Sequence, residues 1–231
     1  MSLLLHIQTV SDSLTNNEIT EKKLSVFDLI TSGGAGGNLV MGALGILSIF
    51  AIYILIERFS AIKKASKEDE NFLKRIQNFV EEKDIEAAKT LCRNTDSPIS
   101  RMIEKGVNRI NKPMTDISAA IENQGKLEVF KMENNLANLA TISGAAPMIG
   151  FLGTVIGMII AFHEMASAGG NIDVEMLSKG IYTAMTTTVA GLIVGIIAFI
   201  AYNYLVSKVD KVVFMLEAKT TEFLDLLHHN E

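Results

Sequence analysis

The run NNLANLATISGAAPMIGFLGTVIGMIIAF, from Asn134 to Phe162, decides the fold. Its 29 residues contain no Asp, Glu, Lys, Arg or His. The 28 residues from Leu29 to Ile56 and the 28 from Gly180 to Ser207 are equally free of charge. At about 1.5 Å of rise per residue, each run forms a helix long enough for the roughly 30 Å hydrocarbon core of a bilayer. The chain of 231 residues is 48% hydrophobic and only 20% charged, with a mean hydropathy of +0.30. Because the apolar residues stand in three blocks, the pattern excludes a soluble enzyme, a secreted disulfide scaffold and a disordered chain.

Smaller features narrow the class further. A net charge of -5 argues against a nucleic-acid partner. The single cysteine, Cys92, allows no intrachain disulfide and reads as a reduced thiol without a special role. No Ser/His/Asp, Cys-x-x-C or paired-carboxylate arrangement is present, so neither catalysis nor a cofactor or metal is expected. Ser32 to Asn38 is glycine-rich but lacks the Lys and the strand of a phosphate loop, and reads as a flexible lead into the first span. Met1 to Leu14 has no basic head and is interrupted by Asp12, so the first span itself is the expected anchor. His228 and His229 read as a frayed polar end.

Basic residues set the expected orientation, because they are retained on the cytoplasmic side. Arg58, Lys63, Lys64, Lys67, Lys74 and Arg75 follow the first span, against Lys22 and Lys23 before it. Lys126 and Lys131 precede the second span, Lys208, Lys211 and Lys219 follow the third, and Lys179 alone lies between them. The expected organisation is a periplasmic segment over 1–38, a first membrane helix over 39–56 and a cytoplasmic helical segment over 57–133. A second membrane helix over 134–162, a periplasmic loop over 163–179, a third membrane helix over 180–207 and a cytoplasmic tail over 208–231 complete it.

The cytoplasmic segment reads as helices broken at Asp84, an N-cap candidate, at Asp96-Ser97-Pro98, and at Pro113. From Thr115 one helix is expected to run through Ile121, Phe130 and Leu136 into the second span. The third span should likewise continue outward, because Val209, Val212, Val213, Leu216, Phe223 and Leu226 prolong an apolar stripe. The expected fold is therefore an all-α membrane protein of three transmembrane helices, the second and third extending into a cytoplasmic helical bundle.

At 100° per residue, Gly180, Thr183, Ala184, Thr187, Thr188, Gly191, Gly195 and Ala198 share one face of the third span. Ile181, Met185, Val189, Leu192, Ile196 and Ile200 take the other. In the second span Ser143, Pro147, Gly150, Thr154, Gly157 and Ala161 oppose Ile149, Leu152, Ile156 and Ile160. Close helix packing accounts for Gly153-x-x-x-Gly157 and Gly191-x-x-x-Gly195. The hydroxyls of Thr183, Thr186, Thr187 and Thr188 gather at one depth, where lipid offers no partner, and fit a polar pore lining or a surface meeting another helix. No carboxylate, Lys or His lies inside any of the three runs, so proton handling would need a titrating group from a partner.

The stretch from Leu139 to Met158 resembles the second-span signature of the ExbB/TolQ/MotA proton-channel family. Gly180 to Ala184, Thr188 to Leu192 and Tyr202-Asn203 resemble its third-span signature. Three spans and this length are most similar to ExbB or TolQ. The resemblance implies a homopentameric ring in a Gram-negative inner membrane, with the amino terminus periplasmic and the carboxyl terminus cytoplasmic. It also implies a pore holding an ExbD-like or TolR-like single-span partner that supplies a membrane Asp, and a TonB-like or TolA-like energy transducer. Ion flow would drive the ring as a rotary motor, with Thr154 and Thr188 on the ion path and Thr183 and Thr187 lining the pore with them. Pro147, Gly150, Gly157, Gly180, Gly191 and Gly195 would form the packing and pore face. The sequence departs from the family pattern at Thr183, where Glu is usual, and at Ile197, where Pro is. The first departure leaves two readings of the transported ion: H⁺, the expected one, and Na⁺, which oxygen ligands alone suit. A passive scaffold for the partner helix is the contrasting reading.

Overall fold

The computed structural model describes residues 34–66, 71–167 and 174–229. Seven helices form there: α1 (Gly34–Ala65), α2 (Phe72–Glu81), α3 (Ile85–Asn94), α4 (Pro98–Val107), α5 (Met114–Glu133), α6 (Leu136–Ser167) and α7 (Val174–His229). Three helical stretches, Gly36–Ala65, Met114–Ser167 and Leu177–His228, are long and apolar enough to cross a membrane. Most of the segment 1–38 and the middle of the loop 163–179 lie outside the described residues. Gly34 to Asn38, read from sequence as a lead, already form the first turn of α1.

Helices α3 and α4 start where side chains take up free amides of the first turn. Asp84 caps α3 by accepting from the Ala87 amide at 3.0 Å. Ser97 accepts from the Ser100 amide at 3.2 Å while Ser100 Oγ accepts from the Ser97 amide at 3.3 Å, a reciprocal cap with Pro98 following it. Helix α2 ends at Glu81, and Lys83, two residues on, is left-handed with φ 59°.

Helix α7 is unbroken over 56 residues, about 84 Å of rod. Past Ser207 it buries Val209, Val212, Leu216, Phe223 and Leu227 in a core shared with α2, α4 and α5. Leu227, rather than Leu226, takes the last inward position. Ile76, Ile103 and Ile121 meet this stripe, and the same core runs into the membrane half through Ile54, Leu139 and Leu205.

The single helix expected from Thr115 into the second span is two helices. The chain breaks at Asn134, in an extended conformation with ψ 138°, and at Asn135, left-handed with φ 64°. Asparagine reaches that region more readily than other residues with a side chain, because it is short and bonds locally. Here its amide Nδ2 donates to Glu57 Oε2 at 3.4 Å. Phe130, placed on the apolar stripe by the continuous-helix reading, is 70% exposed, whereas Ile121 and Leu136 are buried.

Candidate functional site: the seam between two membrane helices

Small residues let α6 and α7 pack antiparallel along their whole shared length. A Cβ added at Gly180 would lie 2.5 Å from Ala161 Cβ, and one at Gly157 would lie 2.9 Å from Ala184 Cβ. At the centre the backbones themselves meet. A Cβ at Gly150 would stand 2.7 Å from the Thr187 carbonyl oxygen, and one at Gly191 would stand 2.6 Å from that of Ala146. Gly195 receives the ring of Pro147, with 2.6 Å between an added Cβ and Pro147 Cγ. Pro147 cannot donate to the Ser143 carbonyl, and the side-chain-free surface of Gly195 accommodates its ring. Ala146 and Gly153, absent from the sequence-derived face, are also buried in this contact. Gly153 faces Thr187 and Val40 of α1. The oily residues opposite, including Met185, Val189, Leu192, Ile196 and Ile200, are exposed.

The seam holds three hydroxyls and two main-chain carbonyls within bonding reach. Thr154 Oγ1 lies 3.1 Å from the Ala184 carbonyl oxygen and touches Thr188 Oγ1. Thr188 Oγ1 donates to the Gly150 carbonyl at 3.1 Å, and Thr187 Oγ1 reaches the same oxygen at 3.2 Å and that of Ala184 at 2.7 Å. Each hydroxyl has one proton and two acceptor lone pairs, so the group can rearrange its donors without breaking the seam. The sequence places Thr183, Thr186, Thr187 and Thr188 together, but the structure gives them different surroundings. Thr187 is sealed between the helices at 1% exposure and Thr183 is at 9%. Thr186 bonds back to the Tyr182 carbonyl of its own helix at 3.0 Å. Thr154 and Thr188 are half-buried, so their hydroxyl pair lies at the edge of the seam.

Below the seam, a polar network escaped the sequence reading. Glu128 of α5 is 2% exposed and accepts from Arg101 Nη2 at 2.7 Å, Gln124 Nε2 at 2.8 Å and Lys131 Nζ at 2.9 Å. Burial alone would raise its carboxyl pKa, but the bonds and charges of Arg101 and Lys131 outweigh it and hold the group below the usual range. Arg101 also pairs with Asp96, which takes a second partner, Lys64, at 2.6 Å. Hydrogen bonding to Lys64 is the main cause that keeps Asp96 acidic. A buried acid among apolar neighbours implies cations nearby, yet the 27 residues separating Arg101 from Glu128 put that partner out of reach of any local pattern.

The seam lies wholly within the part of the chain, residues 94–218, that matches the model of the MotA/TolQ/ExbB proton channel family. The chain belongs to this family. An ExbB homolog from Methanothermobacter thermautotrophicus, named as a biopolymer transport protein, is 28% identical over 188 residues, 80% of this chain and 64% of its own length. The biopolymer transport protein ExbB of Helicobacter pylori is 39% identical over 79 residues, 34% of this chain and 54% of its own. The Tol-Pal system protein TolQ of Pseudomonas aeruginosa is 24% identical over 215 residues, 88% of this chain and 93% of its own. The chain spans less than two thirds of the first two of these relatives. Within the family frame, the α6–α7 seam is the part of this multi-pass membrane protein that brings polar atoms together inside an apolar span.

Proposed function

We propose that this chain is the inner-membrane subunit of an ion-driven motor that energises TonB-dependent transport across the outer membrane of a Gram-negative cell. Five copies form a ring around an ExbD-like single-span partner, with the amino terminus periplasmic and the carboxyl terminus cytoplasmic. The ion path follows the paired hydroxyls of Thr154 and Thr188, and the partner supplies the Asp that titrates. The observation that carries this reading is the hydroxyl pair itself, half-exposed at the edge of a glycine-lined seam in spans that hold no Asp, Glu, Lys, Arg or His. Membrane helices bring hydroxyls together when packing or polar traffic demands it, and Thr187 already serves packing. Protons are the coupling ion in this reading, with Na⁺ the alternative that Thr183 and its neighbouring hydroxyls keep open.

Exposed Phe130 and Phe214, at 70% and 74%, lie outside the uncharged runs and support further chains covering this surface. A second reading, the TolQ-like subunit of a Tol-Pal system with TolR-like and TolA-like partners, is favoured by the near full-length alignment with the Pseudomonas protein.

Valine replaces a threonine hydroxyl with a methyl group at nearly constant shape. In cells whose growth depends on energised uptake, Thr154→Val and Thr188→Val should assemble with the partner and fail to support transport, while Ser207→Ala stays active. Valine variants that retain most activity would refute the ion path. Activity that persists without Na⁺ at fixed membrane potential assigns the coupling to protons.

A further inference from the structure

The break between α5 and α6 falls where the charged part of the chain gives way to the apolar span. Unlike α6, α7 crosses the same level as one continuous rod. A helix that stops leaves carbonyls without intrahelical partners, and the Lys131 carbonyl is one of them. Arg58, at the far end of the α1 span, donates to it from Nη1 at 2.9 Å. Its Nη2 pairs with Glu57, whose other carboxylate oxygen accepts from Asn135 Nδ2 at 3.4 Å. Arg58 is only 8% exposed, and its Nε has no hydrogen-bond partner among the described residues. A charge so buried is held in place by the partners it has, because losing them leaves it unpaired. One residue further on, Phe59 stacks on Tyr204 of α7 with ring centroids 6.3 Å apart.

Helix α1 thus touches the broken helix and the continuous one at a single level. Beyond that level α5 and α7 share the buried core at Ile121 and Phe223, and on one side they line an open groove of about 600 Å³, through Gly125, Val129, Val213 and Thr220 among others. The left-handed Asn135 sets the direction in which α5 leaves α6.

We propose that Glu57, Arg58 and Asn135 form a pinned joint that sets how α5 stands against α7. They are positioning residues and do not touch the transported ion. Through the joint, a change of tilt in α6 reaches the bundle as a change in the α5–α7 spacing. That consequence rests on the ion-path reading of α6; the joint itself does not.

Pulsed electron–electron spin resonance on the full chain in liposomes, with no partner and no ion gradient, tests the joint separately from the ion path. Spin labels at positions 123 of α5 and 218 of α7, in a Cys92→Ala background diluted with unlabelled chain, report the spacing. Arg58→Ala should broaden the distance distribution at least twofold. Asn135→Val, which cannot hold the left-handed backbone, should shift its mean by several ångströms, and Asn135→Gly, which can but loses the bond to Glu57, should leave the mean native and broaden the distribution as Glu57→Gln does. If Arg58→Ala does not fold, Arg58→Lys and Glu57→Gln take its place, each weakening one bond, and should broaden the distribution to a lesser degree. A native distribution in the arginine or glutamate variants overturns the pin, and a native distribution in Asn135→Val overturns the role of the left-handed turn.

Discussion

Replacing Gly150 by alanine probes the seam with a single methyl group. The added Cβ would stand 2.7 Å from the Thr187 carbonyl oxygen, 3.1 Å from Gly191 Cα and 3.2 Å from Thr188 Cα, all main-chain atoms that no rotamer can move. Ordinary contact begins near 3.4 Å, so α6 and α7 must part locally by about 0.7 Å. That movement carries the Thr187 and Thr188 bonds to the Gly150 carbonyl, now 3.2 and 3.1 Å, past hydrogen-bonding range. Overpacking costs about 1–3 kcal/mol and each lost interhelical bond about 0.6 kcal/mol, giving about 2–4 kcal/mol in all. For a chain of this size that is a fall of about 5–15 °C in melting temperature. Gly42→Ala is the control, because nothing lies within 4 Å of its added Cβ. The assay is thermal unfolding followed by circular dichroism in one detergent, with chemical cross-linking of the α6–α7 pair as a second readout. A Gly150→Ala melting temperature within about 1 °C of the Gly42→Ala value would refute the close backbone contact.

The remaining predictions concern the extramembranous helices. Glu128 titrates below its ordinary value of 4.5 when folded, so its stabilisation is complete above about pH 4.5 and is lost as the pH falls through the lower folded value. Acid unfolding of the bundle should therefore begin below pH 4.5, and Glu128→Gln should flatten that limb; an unchanged acid profile in the variant would count against the buried carboxylate. Glu128→Ala should destabilise the bundle by about 2–3 kcal/mol in urea titrations, discounted from a fully buried pair because Arg101 and Lys131 remain partly exposed. Burial and the nearby charge of Glu104 push the Cys92 thiol up to about 12, so a maleimide at pH 7 should leave the native chain unlabelled and react only after unfolding. Rapid labelling of the folded chain would show that the face of α3 that carries Cys92 is open.

The seam was legible in the sequence because small and oily residues segregate at the helical period. Gly180, Ala184, Gly191 and Gly195 fall on one side, and that side is the one packed against α6. The cap at Asp84 and the break at Asp96-Ser97-Pro98 were legible for a similar reason: the chemistry of a helix start is local. What distinguishes Thr187 from Thr188 was not legible, because neighbouring residues on the same face differ only in how deeply the partner helix covers them. The break at Asn134–Asn135 was hidden by an apolar pattern that resumes at Leu136 and by the tolerance of helices for asparagine. Its partner Arg58 lies 73 residues from the Lys131 carbonyl it caps, and from sequence it counted only as one of several basic residues flanking the first span.

Ion flux through the assembled complex tests the central claim most directly. The chain is co-reconstituted in liposomes with the ExbD-like single-span partner proposed above, a membrane potential is imposed, and proton entry is followed with an entrapped pH dye. The account predicts flux in the native complex, near-native flux in Thr154→Ser, and at least a tenfold loss in Thr154→Val and Thr188→Val with unchanged partner content. Valine variants that pass more than half the native proton flux would contradict it.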